Sequence, residues 1–121
     1  MARILVVEDS PSTLETFRKA LENAGHSVLK AVDGNEAINV ARAEQPDVIL
    51  MDIVMPEMNG FQATRRLTSD VETSHIPVVM VTTKDQETDR VWGKRQGAVG
   101  YLTKPVSSVL KYPLSHATII S

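Results

Sequence analysis

Val48-Ile49-Leu50-Met51-Asp52 is a short, nearly all-apolar run that ends in a carboxylate. Such a run, about four to eight residues long and bounded by turn signals, reads as a strand buried on both faces. A carboxylate at the end of a buried strand costs free energy unless something compensates it. Other apolar runs also end in polar groups: Ile4-Leu5-Val6-Val7 in Glu8-Asp9, Val78-Val79-Met80-Val81 in Thr82-Thr83, and Tyr101-Leu102-Thr103 in Lys104-Pro105. Open parallel sheets place ligand sites at the carboxyl ends of their strands. Three acids, a hydroxyl and an ammonium are therefore expected on one rim, a set able to hold a divalent cation and take a phosphoryl group.

Strand-like and helix-like segments alternate outward from this run, the pattern of βαβ units and a parallel sheet. Arg3–Val7 reads as the first strand. Ser10 caps the first helix and Pro11 suits its first position; Leu14, Phe17 and Leu21 recur at helical spacing, and Gly25 marks the end. Ser27–Ala31 is the second strand. Asp33 and Glu36 form a capping box ahead of Ala37, Ile38 and Ala41, and Pro46 closes that segment. A third helix is predicted from Phe61 to Leu67 and a fourth from Asp85 to Gln96, ended by Gly97. Val99–Thr103 is the fifth strand. Right-handed crossovers then give a flavodoxin-like, doubly wound five-stranded parallel sheet with helices on both faces. The strand order is expected to be 2-1-3-4-5, which sets Glu8, Asp9 and Asp52 side by side at the switch point.

The chain has 121 residues, enough for one domain, and its 42% hydrophobic content supports a core. A net charge of -2 gives no reason to expect nucleic acid or an acidic membrane as partner. The absence of cysteine excludes disulfides, thiolate metal sites and redox pairs. No apolar stretch approaches the roughly 18–20 residues that span a bilayer. Strand character from Arg3 leaves no room for a signal peptide, so the expected compartment is the cytoplasm.

Magnesium, or manganese in its place, takes hard oxygen ligands. Asp9 and Asp52 are the expected direct ligands, with Glu8 acting through water and the backbone carbonyl near Val54 as a further ligand. Asp52 is the expected nucleophile, forming an acyl phosphate. Lys104 would pair with one phosphoryl oxygen, and the Thr82 hydroxyl would donate to another.

The stretches ILVVEDS, VILMDIVMPEMNG, PVVMVTT and GYLTKP, in this order and spacing, resemble the receiver domain of bacterial two-component response regulators. The resemblance covers residues 3 to about 106. It implies phosphorylation of Asp52 by a histidine kinase or phosphotransfer domain, metal binding by Glu8 and Asp9, and a downstream protein target. It also implies a switch hydroxyl at Thr82, a switch aromatic at Tyr101 and a cis peptide before Pro105. The pattern is that of a stand-alone, CheY-like regulator, not an enzyme with a substrate of its own. FQATRRLT, IPVVMVTTKDQETDRVWGKRQGA and YLTKP are further similar to small regulators of type IV pilus twitching motility.

One strand-end acid can simply cap a helix; five matched groups are poorly explained that way. Met51, Met55 and Met58 read as packing. Arg65-Arg66 and Lys94-Arg95 read as solvated helix faces, and His26, His75 and His116 suggest no metal site. Trp92 either packs on the sheet or, as is favoured, joins Tyr101 in a partner-binding face. A small metal-dependent phosphatase would carry a second acid where Val54 stands. A flavin carrier would need a hydroxyl-rich phosphate loop where Glu8 and Asp9 stand. A receiver that no longer signals by phosphorylation is disfavoured by the intact acids and Lys104.

Residues 1–106 are expected to form the receiver core and 107–121 an atypical tail. Pro113 would fall inside a terminal helix, at a cost of about 3 kcal/mol, and Thr118-Ile119-Ile120 favours extended chain. The expected outcome is a helix that breaks near Tyr112 and leaves apolar surface for self-association.

Overall fold

The computed structural model describes residues 2–55, 58–82 and 86–104. The predicted tail and the peptide before Pro105 lie outside these residues. Within them the chain alternates β1 (Arg3–Val7), α1 (Pro11–Asn23), β2 (Ser27–Ala31), α2 (Gly34–Glu44), β3 (Val48–Asp52), α3 (Gly60–Ser69), β4 (Val78–Thr82), α4 (Glu87–Arg95) and β5 (Gly100–Thr103). All strand pairs are parallel, in the order β2-β1-β3-β4-β5. The expected doubly wound sheet is the observed one.

Side-chain alternation along the strands sorts the core into two layers. Ile4, Val6, Val48, Leu50, Val79 and Val81 pack with Leu14, Phe17 and Leu21 of α1 on one face. Leu5, Val7, Ile49, Met51, Val78 and Met80 pack with residues of α2 and α3 on the other. β3 and β4 are buried along their whole length, as strands covered on both faces must be.

The helix ends follow local chemistry. The Ser10 hydroxyl accepts from the Thr13 amide and Pro11 opens α1. Asp33 accepts from the Glu36 amide, while Glu36 reaches back to the amide of Val32 and not to that of Asp33, so the box is displaced by one residue. α2 ends at Gln45, held at φ 50 by its position as cap. α3 begins one residue before the predicted Phe61, because Asn59 and Gln62 form a reciprocal capping box. α4 runs from Glu87 to Arg95, shorter than expected at each end, and buries only Gly93. β5 begins at Gly100, one residue after the predicted Val99, whose amide already donates to the Val78 carbonyl at 2.8 Å.

Candidate metal and phosphoryl-acceptor site

The layer alternation continues past the strand ends and sets the site. Glu8 extends the Ile4–Val6 column, Asp52 the Val48–Leu50 column, and Lys104 the column of Leu102, all on the α1 face of the sheet. Thr82 extends the Val78–Met80 column on the opposite face, the face onto which Tyr101 packs. The first three side chains meet in a crevice walled by Val6, Phe17, Leu50 and Val81.

Glu8 and Asp52 are buried, at 4% and 9% exposure, whereas Asp9 is open to solvent. Oxygens of Glu8, Asp9 and Asp52 all lie within 4.8 Å of one another. Lys104 Nζ donates to Glu8 Oε1 at 2.6 Å and stands 3.5 Å from Asp52 Oδ1. The other Glu8 oxygen accepts from the Ser10 amide at 3.2 Å. Backbone bonds fix the frame: the Glu8 amide donates to Ala31, and the Lys104 amide donates to the Thr82 carbonyl at 2.6 Å. Thr82 is itself buried at 7% exposure, and Val54, on the loop after β3, carries an exposed side chain.

Burial, and then the negative charge of Glu8, raise the Asp52 carboxyl from its usual 3.8 to about 6, despite the opposing pull of Lys104. Burial alone would lower the Lys104 ammonium, but its hydrogen bond to Glu8 and the charges of Asp52 and Glu8 outweigh that and raise it. Among the described residues, Glu8 and Asp52 thus share one ammonium, with Asp9 beside them. The oxygen donor set, its spacing and its excess negative charge fit a small hard dication.

Two positions that frame the site were not singled out by the sequence. A Cβ at Gly60 would stand 2.1 Å from the Asp52 carbonyl oxygen, and the Gly60 amide donates to Ile53 at 2.8 Å, so α3 starts pressed against the Asp52 backbone. Gly60 was legible only as loop punctuation. The Ser10 amide, which orients Glu8, gave no signal beyond its helix cap. Trp92 and Tyr101 do not share a hollow: Tyr101 lines one between α4 and β5 with Arg90 over its ring, and Trp92 lines another between α3 and α4.

Comparison with known proteins agrees with this arrangement. Residues 4–110 match the family model of the response regulator receiver domain. The chain is 66% identical over 106 residues to Protein PilH of Pseudomonas aeruginosa, covering 88% of each. It is 36% identical over 104 residues to the polar-differentiation response regulator DivK of Brucella ovis, covering 86% of this chain and 85% of that one. Among solved structures, the chemotaxis response regulator CheY4 of Vibrio cholerae superposes with a TM-score of 0.87 at 34% identity, covering 97% of this chain and 98% of that one. Fold, site layout and sequence similarity agree: the chain belongs to the response regulator receiver domain family.

Proposed function

We propose that this receiver is a phosphorylation switch in which Asp52 accepts a phosphoryl group from a histidine kinase or phosphotransfer domain. The observation that carries the reading is the convergence of Glu8, Asp52 and Lys104 in one crevice beside Asp9. A carboxylate oxygen of Asp52 attacks phosphorus, the bond from phosphorus to the donor's nitrogen breaks, and the donor imidazole keeps that electron pair and takes up a proton. Lys104 moves toward Asp52 to pair with a phosphoryl oxygen, and the Thr82 hydroxyl donates to another. Glu8, Asp9 and Asp52, with the carbonyl near Val54, would hold a magnesium or manganese ion. That ion supplies charge neutralisation for the phosphoryl group and the acids.

The output is a protein-binding face that changes when Thr82 engages the phosphoryl group and Tyr101 repositions. The motif resemblance to twitching-motility regulators, alongside the 66% identity to Protein PilH, supports control of motility as the process, and the cytoplasm is the proposed place. No helix among the described residues is long and apolar enough to cross a membrane. Residues 1–106 would be the switch unit, and the tail at 107–121 a route to self-association.

Incubation with acetyl phosphate tests the assignment. The intact protein should gain a single phosphoryl group only when magnesium is present, and Asp52→Asn should gain none. Undiminished uptake in Asp52→Asn refutes the proposal.

A further inference from the structure

The groove between α3 and α4 lies apart from the phosphoryl-acceptor crevice. Trp92, half exposed at 52%, lines a hollow of about 330 Å³ with Asn59, Phe61, Arg65 and Gln96. A second hollow of about 340 Å³ lies across the ridge made by Gln62 and Arg65, bounded by Met58 and Arg66. The two together form a surface with an apolar floor and an aromatic wall.

Its charge is mostly basic. α3 and the last turn of α4 carry Arg65, Arg66, Lys94 and Arg95, and the acids of α4, Glu87 and Asp89, stand in its first turn, in a chain whose net charge is -2. None of these four cations forms an ion pair with a described residue. The Arg95 guanidinium lies 5.6 Å from the Trp92 ring, so its charge is held at the edge of the groove. The sequence alone read these cations as solvated helix faces; the structure sets Arg65 and Arg95 beside an exposed tryptophan and Arg66 on the adjoining hollow, while Lys94 lines the hollow of Tyr101 on the other side of α4. Trp and Arg around an apolar hollow are the residues that carry binding energy in protein interfaces.

We propose that the α3–α4 groove docks an acidic amphipathic segment of a partner protein. Apolar side chains of that segment fill the two hollows against Trp92, Phe61 and Met58, and its carboxylates face Arg65, Arg66 and Arg95. A second copy of this chain presenting the same face would bring like charges together, which argues for a different protein. The surface is separate from the face around Tyr101, so one regulator could hold two partners at once.

Trp92 is the only tryptophan, so its fluorescence reads the groove directly. The probe is a short synthetic helical peptide with leucine on one face and glutamate on the other, and the control replaces each glutamate with lysine. The expected result is a blue shift of Trp92 emission with the glutamate peptide alone, and amide shifts confined to α3 and α4. Arg65→Glu should weaken binding by at least about tenfold, while circular dichroism and phosphoryl uptake from acetyl phosphate stay as in the parent. Absence of binding, equal binding of both peptides, or binding indifferent to Arg65→Glu overturns the proposal. So does a Trp92 shift produced by anionic lipid vesicles and not by the peptide, which would assign the surface to a membrane.

Discussion

Lys104 Nζ lies 2.6 Å from Glu8 Oε1 but 3.5 Å from Asp52 Oδ1, so the ammonium is bound more closely to the neighbour than to the proposed acceptor. The two partners are 96 residues apart in sequence. With both side chains largely buried, at 17% and 5% exposure, the contact matters to the fold as well as to the chemistry. Removing one partner of such a pair leaves a buried charge unmatched. Lys104→Ala should cost about 3 kcal/mol of stability without metal, and magnesium should recover much of it. Urea titrations with and without magnesium measure both values.

The raised Asp52 carboxyl has a defined pH signature. Its folded value of about 6 lies above the ordinary 3.8, so the fold prefers the protonated form. Below pH 3.8 the carboxyl is neutral in folded and unfolded chains alike. As pH rises to about 6 the folded protein progressively loses that advantage, and above it the full penalty stands. Asp52→Asn should therefore be more stable than the parent at pH 7.5 without metal, by up to about 2–3 kcal/mol. Near pH 4 the difference should shrink, and magnesium should stabilise the parent while leaving Asp52→Asn nearly unchanged. Thermal melts across pH check this.

Gly60 and Gly93 should respond in opposite ways to alanine. At Gly60 the added carbon meets backbone, 2.1 Å from the Asp52 carbonyl oxygen and 2.9 Å from the Ile53 Cα. Neither can yield without moving the acceptor, so Gly60→Ala should cost about 3 kcal/mol and slow phosphoryl uptake. At Gly93 the nearest atom is Met80 Cγ at 3.2 Å, part of a flexible side chain. A mid-helix glycine costs about 1 kcal/mol relative to alanine, so Gly93→Ala should be neutral or mildly stabilising. Chemical denaturation of the two variants gives the comparison.

Thr82→Ala separates acceptance from response. The hydroxyl is proposed to transmit the phosphoryl charge to β4 and Tyr101, while Asp52 and Lys104 remain intact in the variant. Beryllofluoride with magnesium should shift amide resonances of Arg90 and Tyr101 in the parent. In Thr82→Ala the shifts should stay near Asp52. Equal changes at Tyr101 in both proteins would contradict the coupling.

The fold was legible because four short apolar runs, separated by helix signals, each end in a polar group. Glu8, Asp52 and Lys104 converge because parity and parallel register carry them to one side of one rim. Features that depend on close approach were not legible. The fit of Gly60 against the Asp52 carbonyl, the grip of Ser10 on Glu8 and the choice of Glu8 by Lys104 have no periodicity to announce them. The start of α3 moved by one residue because the Asn59 cap was not read, whereas Asp33 caps α2 as expected. Trp92 was legible only as an aromatic that either packs on the sheet or joins Tyr101 in a partner face; its placement between α3 and α4, apart from the hollow of Tyr101, required the helix to be placed.

Identifying the phosphorylated side chain tests the central claim most directly. Protein treated with acetyl phosphate and magnesium is reduced with borohydride, which converts an acyl phosphate of aspartate to homoserine, and its peptides are sequenced by mass spectrometry. The account predicts homoserine at position 52 and at no other acid, and only in samples that received magnesium. Homoserine at Asp9 or another aspartate, or a stable phosphoryl group on a hydroxyl, would contradict it.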